Sequence, residues 1–360
     1  MSVLNKIITK LNSLKQKRAF VREMNRLEDK VGAFCKNNSI PPLSENDYNV
    51  IKKFWEPYVH YEVKPYFYSI LSRFDFDYPL YQAVNQAIMF NCIIRKLNPI
   101  EATQILSNKG MYSSIFQGFN RPVELLKCCS NNILNQNNDV VTIDKGISAI
   151  LEYNKPFIIK PIVDSHGGFN VEIISNYTKK DLYDIINKYK NNFVIQALVE
   201  QSIQTKKLNP TSLNTFRVVT LMLNGKLSVL SCFVRCGGKG AIVDNACSGG
   251  MVIGINKDNG RLTRGTNFEK LEIHESPTGI KLSDYKIENF NRIIEFAEKL
   301  HTRIPLVALA GWDIALDENE QPVFIEVNLN KPSVWLMQVC NGPIFGERFE
   351  EVLEYCFKQN

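Results

Sequence analysis

GWDIALDENEQPVFIEVNLNKP, residues 311–332, decides how this chain is read. Two apolar runs flank a polar stretch, the pattern of a β-hairpin. A four-residue loop, Glu318–Gln321, places Asp313 directly across from Glu326. Glu326 and Asn328 are two apart and therefore project from one face. Ile314, Ile325 and Val327 imply a partly buried sheet. Two neighbouring buried carboxylates repel each other and lose hydration. A hard divalent cation relieves both costs, and a small set of oxygen ligands suits Mg²⁺, which shares its shell with water and phosphates. On the hairpin alone, an ordinary solvated edge is an equally weighted reading.

Working outward, NKPFIIKPIVDSHGGFNVEII (154–174) puts Lys160 at the end of an apolar strand, followed by Ser165, His166, Gly167 and Gly168. Glycines between strands let backbone N–H groups approach a phosphate closely, and a strand-end lysine supplies a point charge. A Gly-Gly turn is by itself weak, and His166 reads more readily as a loop histidine than as an acid–base catalyst. In NTFRVVTLMLNGKLSVLSCFVRCGGKGAIVDNACSGGMV (214–252), Asn224-Gly225 marks a hairpin. Its strands carry Arg217 and Arg235, suited to a polyphosphate facing an acidic pair. A plain two-residue turn pairs 217 with 232 and 235 with 214, on opposite faces. A common face for the two arginines requires a bulge or a different turn.

Other strand-like runs are Pro156–Pro161, Val171–Ser175, Phe193–Ala197, Thr215–Leu223, Lys226–Val234, Met251–Ile255, Gly311–Leu316 and Pro322–Val327. Helices are expected at about 179–190, 283–302 and 345–357. Residues 1–108 read as mostly helical, with an amphipathic stretch at 3–30, a loop at 38–48, a helix after Ser44 and another over about 80–97. Pro99 is placed to open the next helix. This mixture is α+β.

Composition narrows the function classes. Residues 1–30 hold eight Lys/Arg against three Asp/Glu, a net of +5 within a chain of net +6. The basicity therefore belongs to one end and is no nucleic-acid stripe. That basic helix is compatible with peripheral contact to an acidic membrane through residues 1–30, although packing on its own domain is the commoner use of such a helix. No apolar run reaches the roughly 20 residues of a membrane span and the N-terminus lacks a signal-peptide pattern, so a cytoplasmic location is expected. Nine cysteines without a CxxC pair read as free thiols.

Taken in order, Lys109 in SNKGMYS, Lys160 in FIIKP with its Gly-rich turn, VIQALVEQ (194–201), NTFRVVT, Arg235…Asp244-Asn245…Gly249-Gly250, GWDIA and IEVNLNKP resemble the ATP-grasp superfamily, most closely its sugar-transfer-associated branch. The resemblance spans about 105–345. It implies two α+β subdomains gripping ATP, at about 109–198 and 199–360, preceded by a helical region at 1–108. It assigns Lys109 and Lys160 to the α/β phosphates and Ser165, His166, Gly167 and Gly168 to a loop over the triphosphate. Gln196, Ala197, Leu198 and Val199 would read adenine, with Glu200 at the ribose. Arg217 and Arg235 would meet the γ-phosphate or an acyl phosphate, and Asp313, Glu326 and Asn328 would hold Mg²⁺. Trp312 departs from the pattern: many of these ligases carry an arginine there, a role open to Arg217 or Lys331.

The expected function is an ATP-dependent ligase joining a sugar or uronic-acid carboxylate to an amine in polysaccharide (capsule) assembly. A kinase using the same Mg–ATP site and a non-catalytic nucleotide-binding protein are the alternatives. The first differs in leaving phosphate on its acceptor, the second in tolerating loss of Glu326.

Overall fold

The structure, a computed structural model, describes residues 22, 25–163, 170–241, 249–330, 332 and 334–358. Ser165, His166, Gly167, Gly168, Asp244, Asn245, Lys331 and most of the basic N-terminal stretch lie outside the described residues. By contact density the chain divides into two units, one of residues 1–96, 268–271 and 333–360, the other of 97–267 and 272–332.

The first unit is helical. Ser44 caps Glu45–Trp55, its hydroxyl accepting from the Asp47 N–H at 3.1 Å. Trp55, Phe67 and Tyr68 are fully buried in this unit. The C-terminal helices Val334–Asn341 and Phe349–Leu353 belong here, whereas the sequence reading carries the second subdomain to 360. Aromatic packing holds them: Trp335 meets Phe34 at 5.1 Å and Phe268 at 5.9 Å, and Phe349 meets Phe54 at 5.7 Å. Sequence spacing does not register such contacts between distant segments.

The second unit contains two antiparallel sheets. The first has five strands: β1 (Glu124–Cys129), β2 (Asn132–Asn135), β3 (Phe157–Pro161), β4 (Glu172–Ile174) and β5 (Phe193–Ala197), in the order β2-β1-β5-β3-β4. Helices Ile143–Tyr153 and Lys179–Tyr189 cover one face, burying Leu126, Cys128, Phe157, Ile159, Phe193 and Ile195. Thr142 caps the first helix, and a Thr178–Asp181 capping box starts the second.

The other sheet has six strands: β6 (Thr215–Leu223), β7 (Lys226–Cys236), β8 (Met251–Ile255), β9 (Leu262–Thr266), β10 (Leu309–Leu316) and β11 (Pro322–Asn328), in the order β11-β10-β6-β7-β8-β9. Its even-numbered face on β6, β7 and β10 (Phe216, Val218, Cys232, Val234, Trp312, Ile314) packs with Ile293, Ala297 and Leu300 of the Asn291–His301 helix. Fully burying an isoleucine or leucine of this kind contributes about 1.5–3 kcal/mol. That helix begins eight residues later than its apolar spacing suggests. Asn289 at φ 54° stands in the left-handed region just before it and interrupts the run. β1, β2 and β9 and the helices Ile143–Tyr153, Ile203–Leu208 and Val334–Asn341 are further elements that the sequence reading leaves unassigned. Among the described residues no helix is long and apolar enough to cross a membrane.

Candidate functional site

The face of each sheet turned away from its helices carries charge. On the six-stranded sheet, Glu326, Asp313 and Arg217 are consecutive register partners across β11, β10 and β6, and Arg217 pairs in turn with Phe233 of β7. The Asp313–Glu326 pairing is the expected one, reached by a different route. Leu316 pairs with Pro322, so the turn has five residues, and a bulge between Asp313 and Ile314 restores the alignment. Asp317 closes that turn, its Oδ1 accepting from the N–H groups of Asn319 and Gln321, both at 2.9 Å.

A second bulge answers the question left by the Asn224-Gly225 turn. Val219 pairs with Ser231 but Thr220 with Val229, so Leu230 is the extra residue. Beyond it Arg217 opposes Phe233 and Thr215 opposes Arg235, which puts both arginines on one face.

Asp313 is the hub. Its carboxylate takes a two-pronged contact from Arg217, through Nε and through Nη2 at 2.8 Å, and a further bond from Arg235 Nη1 at 2.8 Å. Arg217 and Asp313 are buried, at 4% and 1% exposure. Gly311 lies under the guanidinium stem: a Cβ there would sit 3.2 Å from Arg217 Cδ. Asn328 Nδ2 lies 3.4 Å from Asp313 Oδ2 and 3.5 Å from Glu326 Oε1. Glu326 receives Lys109 Nζ at 3.2 Å. Burial alone would raise the Glu326 carboxyl, but Lys109, Lys160, Arg235 and Arg217 outweigh it and hold the group well below the usual carboxylate range.

The five-stranded sheet supplies the opposing charges. Lys160 on β3 is register partner of Val194, and Ile158 of Gln196, so Lys160 and Gln196 share the face opposite the helices. Lys160 is buried, and its ammonium is pushed down to about 8 by that burial and then by Lys109, against the pull of Glu326, Glu124 and Asp313. Gln196 is buried, Ala197 half-buried with its N–H given to the Val123 carbonyl at 2.9 Å, Leu198 exposed and Val199 half-buried. Glu200, exposed, pairs with Lys206 at 3.1 Å.

Trp312 is not part of this face. It points into the core, where Nε1 donates to Thr220 Oγ1 at 2.8 Å. Thr220 in turn meets His301 Nδ1 at 2.7 Å, and His301 Nε2 lies 3.1 Å from the Val307 carbonyl. The bonds run in one direction if Nε2 carries the imidazole proton: tryptophan to threonine, threonine to histidine, histidine to carbonyl.

Sequence reasoning missed Glu124 and Lys127. Three apart in a strand, they read as facing opposite sides. A bulge between Glu124 and Leu126 turns them to the same face, with Glu124 beside Gln196 and Lys127 beside Val194. The available signal was two opposite charges inside the short, otherwise apolar run VELLK.

The donors offered to a metal are all oxygen: the Asp313 and Glu326 carboxylates and the Asn328 amide. Amide oxygen and nitrogen exchange by a half-turn, so a cation would meet Oδ1 where Nδ2 now faces two carboxylates. Among the described residues no group of three or more His, Cys, Asp or Glu side chains could hold a metal alone. The set thus fits a hard cation that completes its shell with water and phosphate.

Each sheet is backed by helices on one face and carries charged side chains on the other. The chain belongs to the sugar-transfer associated ATP-grasp family, whose model matches residues 91–354. Solved structures of similar fold include the L-amino acid ligase from Bacillus licheniformis, at 16% identity over 71% of this chain and 49% of that one, with a TM-score of 0.42. D-alanyl-alanine synthetase A from Vibrio cholerae is 16% identical over 72% of this chain and 66% of its own, TM-score 0.42. The chain thus spans about half the length of the first and under two thirds of the second. No curated protein matches it in sequence.

Proposed function

We propose that the protein is an ATP-dependent carboxylate–amine ligase working through an acyl phosphate. The observation that carries this reading is the convergence of Lys109, Arg217, Arg235, Asp313, Glu326 and Asn328 in one connected charge lattice, with Lys160 close enough to be perturbed by it. In this reading Lys109 and Lys160 neutralise the α/β phosphates, and the 196–200 segment receives the adenosine. Asp313, Glu326 and Asn328 would hold Mg²⁺, which when bound withdraws charge from the transferring phosphoryl group.

A carboxylate oxygen attacks the γ-phosphorus, the bond to the bridging oxygen breaks and ADP leaves. An amine nitrogen then attacks the acyl carbon, loses a proton and expels inorganic phosphate, leaving an amide. Arg217 and Arg235 lie on the face where the phosphoryl oxygens accumulate charge, and fixed donors of this kind are the main protein contribution to such transfers. Trp312 faces the core, so in this reading the role of stabilising the tetrahedral intermediate falls to Arg217 or Lys331. The family's association with sugar transfer leads us to place the carboxylate on a sugar or uronic acid destined for a polysaccharide.

The test is thermal unfolding of the wild type and Glu326→Gln with and without Mg–ATP, followed by phosphate release with sugar acids and amines. Ligand bound only by the native state raises the midpoint according to RT ln(1 + [L]/Kd). The expected result is a Mg²⁺-dependent rise in the wild type, lost in the variant, and turnover reduced about 10²–10³-fold, as for removal of one charge-stabilising group. Equal shifts in both proteins would remove the metal assignment. Phosphate retained on the acceptor rather than released would replace the ligase with a kinase.

A further inference from the structure

Lys127 is a buried cation on the nucleotide-facing side of β1, at 3% exposure. Burying an ammonium is expensive unless its donors are met. Here all three have partners: the Gly110 carbonyl at 3.0 Å, Ser113 Oγ at 2.8 Å and Glu124 Oε2 at 3.4 Å. Glu124 is itself fixed through its other oxygen by Arg121 Nη1 at 3.0 Å. Lys127 therefore has no donor left for a phosphate. It is tied instead to the residue that follows Lys109.

The segment carrying Lys109 is held from other sides as well. The Lys109 N–H donates to the Ile162 carbonyl at 2.9 Å, just beyond β3. Asn108 Oδ1 accepts from the Gly110 N–H at 2.9 Å. A Cβ on Gly110 would come within 3.0 Å of Cys129 Sγ and 3.2 Å of Ile162 Cδ1, so the turn lies flat against the ends of β1 and β3. These contacts fix where the Lys109 side chain starts, and its far end reaches Glu326.

We propose that Lys127, anchored by Glu124, is a positioning residue for Lys109: by gripping Gly110 and Ser113 it sets how far the Lys109 ammonium reaches toward the phosphates. This rests on the nucleotide reading above. A lysine–phosphate contact is a charge-assisted hydrogen bond, which weakens when the ammonium is displaced from its acceptor. The role differs from general support of the fold, because it acts through one side chain.

The experiment is calorimetric titration of Mg–ATP and of adenosine into the wild type, Lys127→Met, Lys109→Met and the double variant. Positioning through Lys109 weakens Mg–ATP binding by roughly tenfold in Lys127→Met, leaves adenosine binding unchanged, and adds less than about twofold once Lys109 is gone. Equal losses for adenosine and Mg–ATP, or full additivity in the double variant, would overturn it and leave Lys127 as a structural cation. A wild type that binds no Mg–ATP would instead sink the nucleotide reading beneath it. Should Lys127→Met fail to fold, Ser113→Ala removes one of the three bonds and is expected to show the same pattern more weakly. An Mg–ATP affinity unchanged in Ser113→Ala and insensitive to the Lys109 background would count against the proposal.

Discussion

On the six-stranded sheet, Trp312 and Asp313 are consecutive residues that face opposite sides. Trp312 belongs to a face sealed by the Asn291–His301 helix, where the polar groups Thr220 and His301 are joined in a short chain of hydrogen bonds. Burial drives the His301 imidazolium down to about 4, so that side carries no charge near neutrality. Asp313 belongs to a face where charged and amide side chains meet, and it is bonded to Arg217, Arg235 and Asn328. The contrast shows how one strand meets two demands. The neutral side is bonded to completion and has nothing to offer a ligand. The charged side is bonded to itself through ion pairs among its own side chains.

The sharpest way to break this contrast is Asp313→Ala. It leaves two arginines facing one another, Arg217 buried, with their shared carboxylate gone, and breaking a buried pair in this manner costs about 3–5 kcal/mol. Chemical denaturation should show that loss, and added inorganic phosphate should recover part of it by supplying the missing negative charge. Trp312→Phe probes the other face. Thr220 loses the Nε1–H donor and the core loses part of a ring, an expected cost of about 1–3 kcal/mol, with Mg–ATP affinity within twofold of wild type.

The smallest effect is a pH dependence. Lys160, pushed down to about 8, is charged below that pH and neutral above it. Mg–ATP affinity should therefore fall by up to about tenfold per unit above pH 8. The unliganded protein should gain stability between about 8 and the unfolded value near 10.5, because there the unfolded chain binds the extra proton. Opposite signs in the two measurements identify this lysine, and parallel declines would point elsewhere.

Much of the charged face is legible in the sequence because it is local. Asp313, Glu326 and Asn328 sit in one hairpin, and alternation within a strand brings the last two together. Strands such as Phe193–Ala197 and Thr215–Leu223 are visible in their β-branched and aromatic content. What alternation cannot supply is the residue that breaks it. Arg217 and Arg235 share a face only through the extra Leu230, and Glu124 and Lys127 only through the irregularity at Leu125, and neither leucine looks unusual in sequence. The grouping of the C-terminal helices with the first unit depends on aromatic contacts between residues roughly 300 apart in the chain, such as Phe34 with Trp335.

Three of the strand irregularities, at Leu125, Leu230 and Ile325, have a consequence for how this site can change. Strand faces obey parity, so the chemistry here is encoded partly in how many residues are present rather than which. Removing Leu230 alone would leave every charged residue in place and yet send Arg235 to the side facing the helix. Exchanging Leu230 for another apolar residue would change little. Within these strands, then, length is the constrained quantity and composition at the bulge is the free one. A relative that matched every charged residue but differed by one in strand length would present a different surface.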